Sequence, residues 1–67
     1  MENLTITITK ALDEEGYFYD IYLCEAEDIA DGRDSEDGGM CKSDNITDAL
    51  GMATLQARQL IKNLNNK

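Results

Sequence analysis

Residues 4 to 9 alternate without a break, Leu4, Ile6 and Ile8 on one side and Thr5, Thr7 and Thr9 on the other. A period of two in β-branched residues fits a half-buried strand and no helix, and it predicts a strand over about residues 3–10. The polar segment Asp13-Glu14-Glu15-Gly16 follows, ending in the residue that best tolerates positive φ. Alternation then resumes from Tyr17 to Cys24, with Tyr19, Ile21 and Leu23 on one side. Two alternating runs around a short polar connection read as a β-hairpin, the second strand spanning about 17–24. Its other side carries Phe18, Asp20, Tyr22 and Cys24. The aromatic pair Phe18 and Tyr22 either pairs across to the threonines of the first strand or forms a dimer or partner surface.

The period changes after residue 45. From Ile46 the positions Ala49, Leu50, Ala53, Ala57, Leu60, Ile61 and Leu64 form one stripe at a spacing of 3.6, while Arg58, Lys62 and Lys67 gather toward the C-terminal end. This predicts an amphipathic helix over about 46–64, with Asn45 as N-cap and Asp48 in a capping-box-like position. At about 100° per residue, Leu55 falls roughly opposite the stripe, and Met52 about 60° from it. Met52 and Leu55 are therefore a second candidate apolar interface. Gly51 shares that face, which suits either a bare helix or a closely approaching partner. The short run Gly39 to Ser43 supplies a third strand over about 39–43. The expected fold is α+β, a three-stranded antiparallel sheet packed on one C-terminal helix in the order β-β-β-α, in a single domain over 1–67. At 67 residues such a chain buries only about 60% of its unfolded surface, so the core is thin.

Between the second and third strands, residues 25–38 read as an acidic loop. Seven carboxylates and one arginine occupy the thirteen positions 25–37. Residues 1–38 hold twelve Asp and Glu against Lys10 and Arg33, net −10, and residues 39–67 hold two acids against four bases, net +2, giving −8 for the chain. A field of this sign steers association with cationic surfaces and repels phosphates, so direct nucleic-acid binding is not expected. Proteins that bind DNA carry Lys and Arg rows matched to its charge density, and carboxylates at i and i+2 on an extended chain, about 6.6 Å apart, could meet such rows. The candidate partner-binding residues are Asp13, Glu14 and Glu15 in the turn, and Glu25, Glu27, Asp28, Asp31, Asp34, Glu36 and Asp37 in the acidic stretch. The alternative is a solvated loop that keeps the chain soluble. A loop of this length in a compact domain is more often functional or disordered than incidental.

Histidine is absent, which removes the imidazole base, the Ser-His and Cys-His pairs and the His metal ligand. A single layer of helix on sheet also offers little concavity in which carboxylates could act as acid and base. No catalytic residue, cofactor or enzymatic activity is expected. A calcium loop fails by position: with Gly32 at the sixth place, Ile29 falls on a ligand position and Gly38 on the twelfth, and with Gly38 at the sixth place Arg33 falls on the first. No metal site is expected. Cys24 and Cys41 read as free, half-buried thiols. No membrane span of about 18 apolar residues or secretory leader is legible, so the expected location is the cytoplasm.

The run from Gly39 to Leu50, together with Gly16-Tyr17 at the start of the second strand, resembles the N-terminal domain of HicB-type antitoxins. There a short strand leads through a capped turn into a helix opening like Asp-Thr-Ile-Glu-Glu-Ala-Leu. Asp44 to Leu50 follow that order, over about fifty residues of resemblance. It implies a small sheet-plus-helix module that silences a protein partner, such as a small basic RNase toxin. The C-terminal DNA-binding domain usual in that family has no counterpart in this sequence, so autorepression is not part of the implication. The overall profile, short, acidic and without catalytic apparatus, is also similar to phage-encoded anti-CRISPR proteins. That profile implies a DNA mimic occupying the nucleic-acid site of a CRISPR effector or other nucleic-acid enzyme in the host bacterial cytoplasm. A homodimer or accessory subunit using the apolar surfaces is the further alternative.

Overall fold

The computed structural model describes residues 3–66; Lys67, counted above with the basic end of the helix, lies outside them. The elements run β1 (Thr5–Lys10), β2 (Tyr17–Tyr22), α1 (Ala26–Ala30), β3 (Asp37–Cys41) and α2 (Ile46–Asn65). The strands form one antiparallel sheet in the order β1-β2-β3. Helix α2 packs against one of its faces, so the β-β-β-α architecture holds. The short helix α1 is an addition within the acidic excursion.

Pairing runs from Thr5 opposite Tyr22 to Lys10 opposite Tyr17, and from Tyr17 opposite Cys41 to Ile21 opposite Asp37. The period-two reading therefore places Ile6, Ile8, Tyr19 and Ile21 beneath α2, with Thr5, Thr7, Thr9, Phe18, Asp20, Tyr22 and Met40 on the open face. Several boundaries move. β1 starts at Thr5 rather than at residue 3, and β2 stops at Tyr22 rather than 24, because the chain turns inward there. The Thr5 hydroxyl donates to the Cys24 carbonyl at 2.8 Å and the Cys24 side chain is buried. β3 lies two residues earlier than 39–43, since pairing with β2 recruits Asp37 and Gly38.

The core is small: Ala11, Tyr19, Ile21, Cys24, Cys41 and the alanines Ala49, Ala53 and Ala57. The three alanines recur every four residues on α2 and present no side chain beyond Cβ, so the helix settles close to the sheet. Of the larger members of the expected stripe, Leu50 is half exposed and Leu60 and Ile61 are half buried. Helix α2 starts as its sequence requires. Asn45 Oδ1 accepts from the Thr47 N–H at 2.9 Å, satisfying a free donor of the first turn. Asp48 does not reach back to the Asn45 N–H; that amide donates to Ser43 Oγ at 3.1 Å, and the Ser43 hydroxyl donates to Asp48 at 2.6 Å.

The β1–β2 connection is closed by the Ala11 N–H donating to the Gly16 carbonyl at 3.0 Å. Gly16 has φ +119°, and a Cβ there would run into the Cys41 carbonyl. Glycine thus fastens the hairpin turn against the end of β3. Both thiols are free and buried. Cys41 stands opposite Tyr17 and Cys24 lies beyond Tyr22, so at least the length of β2, roughly 17 Å, separates two groups that would need Cα atoms about 4.4–6.8 Å apart to bond.

Candidate functional site

The acidic stretch is a built element. Helix α1 opens with Glu25 as N-cap and carries Glu27 and Asp28 in its first turn, where carboxylates oppose the positive end of the backbone dipole. Backbone bonds then fold the segment back: Asp28 N–H to the Glu25 carbonyl at 3.1 Å and Arg33 N–H to the Asp28 carbonyl at 3.1 Å. Gly32 makes the turn at φ +101°. The Glu36 N–H donates to the Ile21 carbonyl at 2.8 Å and returns the chain to the sheet. This corrects the expected geometry of an extended acidic loop. Residues 26–30 are helical and 37–38 belong to β3, so Glu27 and the C-cap residue Asp31, whose N–H donates to the Glu27 carbonyl at 3.2 Å, stand one turn apart rather than in an extended row.

All ten candidate carboxylates are exposed. Three of the acidic-stretch side chains have partners among the described residues, the Asp37 carboxylate accepting from the Gly38 N–H at 2.9 Å. Glu36 lies 3.8 Å from Arg33, and Glu25 accepts from Asn3 Nδ2 at 3.0 Å. The ten do not form one patch. Glu25, Glu27, Asp28, Asp31, Asp34, Glu36 and Asp37 stand at the end of the sheet where β2 finishes and β3 begins, whereas Asp13, Glu14 and Glu15 stand at the opposite end, about the length of β2 away. Helix α2 runs from the second end toward the first, so its basic residues Arg58 and Lys62 lie toward the same end as the seven carboxylates. Neither forms an ion pair among the described residues.

The apolar candidates also divide. Phe18 and Tyr22 lie on the open sheet face, two residues either side of Asp20. They pair with Thr9 and Thr5, and Phe18 is flanked on its other side by Met40, a neighbour that only the β2–β3 register could reveal. Met52 and Leu55 are brought together on α2, on the other side of the sheet, where they border a shallow depression with Tyr19, Gln56 and Gln59. Leu55 is 70% exposed.

Gln56 does what the sequence did not signal. Its Oε1 accepts from the Tyr19 hydroxyl at 2.7 Å and its Nε2 donates to the Gly38 carbonyl at 3.0 Å, tying α2 to β2 and to the outer edge of β3. The Tyr19 ring lies over Gly39, where a Cβ would stand 2.6 Å from the hydroxyl oxygen. The paired glycines that resemble a loop are thus the bed for a core tyrosine.

No side-chain polar atom is buried without a partner, and no three Asp, Glu or Cys side chains converge on a cation position, both among the described residues. No helix there is long and apolar enough to cross a membrane. What the surface offers chemically is charge and apolar area. Comparisons with protein-family models, with curated proteins and with solved structures find no match to this chain.

Proposed function

We propose that this protein is a non-enzymatic inhibitor whose acidic end occupies the cationic, nucleic-acid-binding groove of a host protein, as an anti-CRISPR-type DNA mimic does. The observation that carries this reading is the concentration of seven exposed carboxylates on a folded segment at one end of the sheet. Backbone hydrogen bonds fix where that segment leaves and rejoins the sheet. A preformed acidic surface loses less conformational freedom on binding than a mobile loop does, and its charge raises the association rate.

The test is capture of partners from bacterial lysate by the tagged protein, alongside a variant carrying Glu25→Gln, Glu27→Gln, Asp28→Asn, Asp34→Asn, Glu36→Gln and Asp37→Asn. The reading expects a nucleic-acid-binding protein that is released by duplex DNA or by salt and is not captured by the variant. Capture indifferent to DNA, to salt and to the six substitutions would refute it. A second reading, an antitoxin-like module neutralising a small basic RNase, draws on the strand, Asn45 cap and helix order over 39–50. It expects a small RNase in the same experiment, lost on Tyr22→Ala or Leu55→Arg.

A further inference from the structure

The two edges of the sheet are finished differently. On β3 the Gly38 carbonyl is taken by Gln56 and the Gly38 N–H by the Asp37 carboxylate at 2.9 Å. Both groups therefore point away from β2, which makes Gly38 and Asp20 a non-hydrogen-bonded pair. Asp20 in turn directs its backbone groups at Thr7, and the alternation fixes the rest of β1. Thr5, Thr7 and Thr9 bond inward, while Ile6, Ile8 and Lys10 turn N–H and C=O outward. The Ala11 N–H bond to Gly16 continues the same alternation. Among the described residues no side chain hydrogen-bonds to these outward groups. The β3 edge is blocked at Gly38 and keeps outward groups at Met40, whereas the β1 edge is open at Ile6, Ile8 and Lys10 and is the longer template for another strand.

The surroundings of β1 fit the same purpose. It is the one strand without a carboxylate, reading Thr-Ile-Thr-Ile-Thr-Lys. Gln56 faces the β3 side of α2, so Leu50 and Ile61, about 120–140° around the helix from it, overhang the β1 side. With Leu4, Ile6 and Ile8 on the sheet below, they form an apolar strip of half-buried and exposed side chains along that edge.

From these features we infer that two copies of this chain pair through β1, antiparallel about a two-fold axis at Thr7, to make one six-stranded sheet with the α2 helices side by side. The occupant is a second copy because the edge complements itself. This axis sets Ile6 against Ile8 of the second copy and brings Lys10 of each to Leu4 of the other, beside Asn3 and Glu25. Lys10, the only cation of β1, lies 3.7 Å from the exposed Asp44 and over the Tyr17 ring of its own chain, and in the pair also comes within reach of the acidic end of its neighbour, twice by symmetry. Elsewhere two chains of net charge −8 repel, so the association is held by backbone bonds and apolar contact and tightens as salt screens that repulsion. This sign is opposite to that expected for the acidic end and its partner, and the two readings fail separately.

The test measures the mass of the full chain by light scattering over a concentration series at low and high salt, with two variants. Thr7→Cys places one thiol on the axis, at a pair whose Cα separation of about 4.5 Å suits a disulfide. Ile8→Pro removes an outward N–H at an edge position and no bond to β2. A dimer that strengthens with salt, a disulfide-linked dimer of Thr7→Cys under dilute oxidant but none of Leu55→Cys, and a folded monomer for Ile8→Pro are expected. If Ile8→Pro fails to fold, the Thr7→Cys cross-link decides alone. A wild-type chain that stays monomeric, or Thr7→Cys that does not cross-link, overturns the inference, and a dimer resistant to both variants places the contact on another surface.

Discussion

Replacing Gly39 with alanine probes whether Tyr19 truly rests on the β3 backbone. The added Cβ would stand 2.6 Å from Oη and 2.9 Å from Cζ of Tyr19, and the ring, 4% exposed, has little room to withdraw. Overpacking of this kind costs about 1–3 kcal/mol. Displacing the hydroxyl from Gln56 removes a further ~0.5–1.5 kcal/mol, and the lower flexibility of alanine returns about 0.5–1 kcal/mol. The net loss is about 2 kcal/mol, a fall in Tm of roughly 8–16 °C for a domain of this size. That is a large share of the roughly 3–10 kcal/mol expected for a chain this long. Thermal and urea unfolding followed by circular dichroism measure it. In a Tyr19→Leu background the obstructing atoms are gone, so the same Gly39→Ala change should stabilise by ~0.5–1 kcal/mol. An equal penalty in both backgrounds, or none in the native one, would refute the account of the glycine pair.

Gly51 lies in α2 with open space where its Cβ would be, so Gly51→Ala should stabilise by about 1 kcal/mol. Gly16→Ala should instead destabilise by about 2–4 kcal/mol, from positive φ and the Cys41 carbonyl together; urea midpoints of the two variants should move in opposite directions. Asn45→Ala should lower stability by ~1 kcal/mol through loss of the cap on Thr47, and Asn45→Asp should restore it. Native Cys24 and Cys41 should resist thiol reagents until the chain unfolds, with no intramolecular disulfide on oxidation; rapid labelling of folded protein would contradict their burial.

Where local periodicity is strong the sequence is a sufficient guide: β1 and β2 follow from alternation, and α2 from its 3.6 spacing and Asn45. β3 starts two residues before the run that the sequence suggests because Asp37, Gly38 and Gly39 have low strand preference. Their conformation comes from pairing with β2 and from the Tyr19 ring above Gly39, which are tertiary causes. Helix α1 is illegible in the sequence for a different reason. Five residues give no periodic signal, and charge density masks the local backbone bonds that shape the segment. The acidic residues were identifiable individually, but their division between two ends of the sheet depends on strand length and connection. Likewise, alternation puts Phe18 and Tyr22 on the side of β2 opposite Tyr19 and Ile21, while Met40 beside Phe18 needs the register.

The alanine stripe of α2 bears on how such a protein can change over generations. Because the helix meets the sheet through Ala49, Ala53 and Ala57, only eight apolar side chains are buried among the described residues, and the shortest dimension of the molecule is 14 Å. Selection for folding therefore acts on a short list of positions, chiefly the alanines, Tyr19, Ile21 and the glycines that lie against them. Most of the exposed residues, the carboxylates of the acidic end among them, can be exchanged at little loss of stability. A domain built this way can redraw its charges to follow a changing partner while its scaffold stays the same.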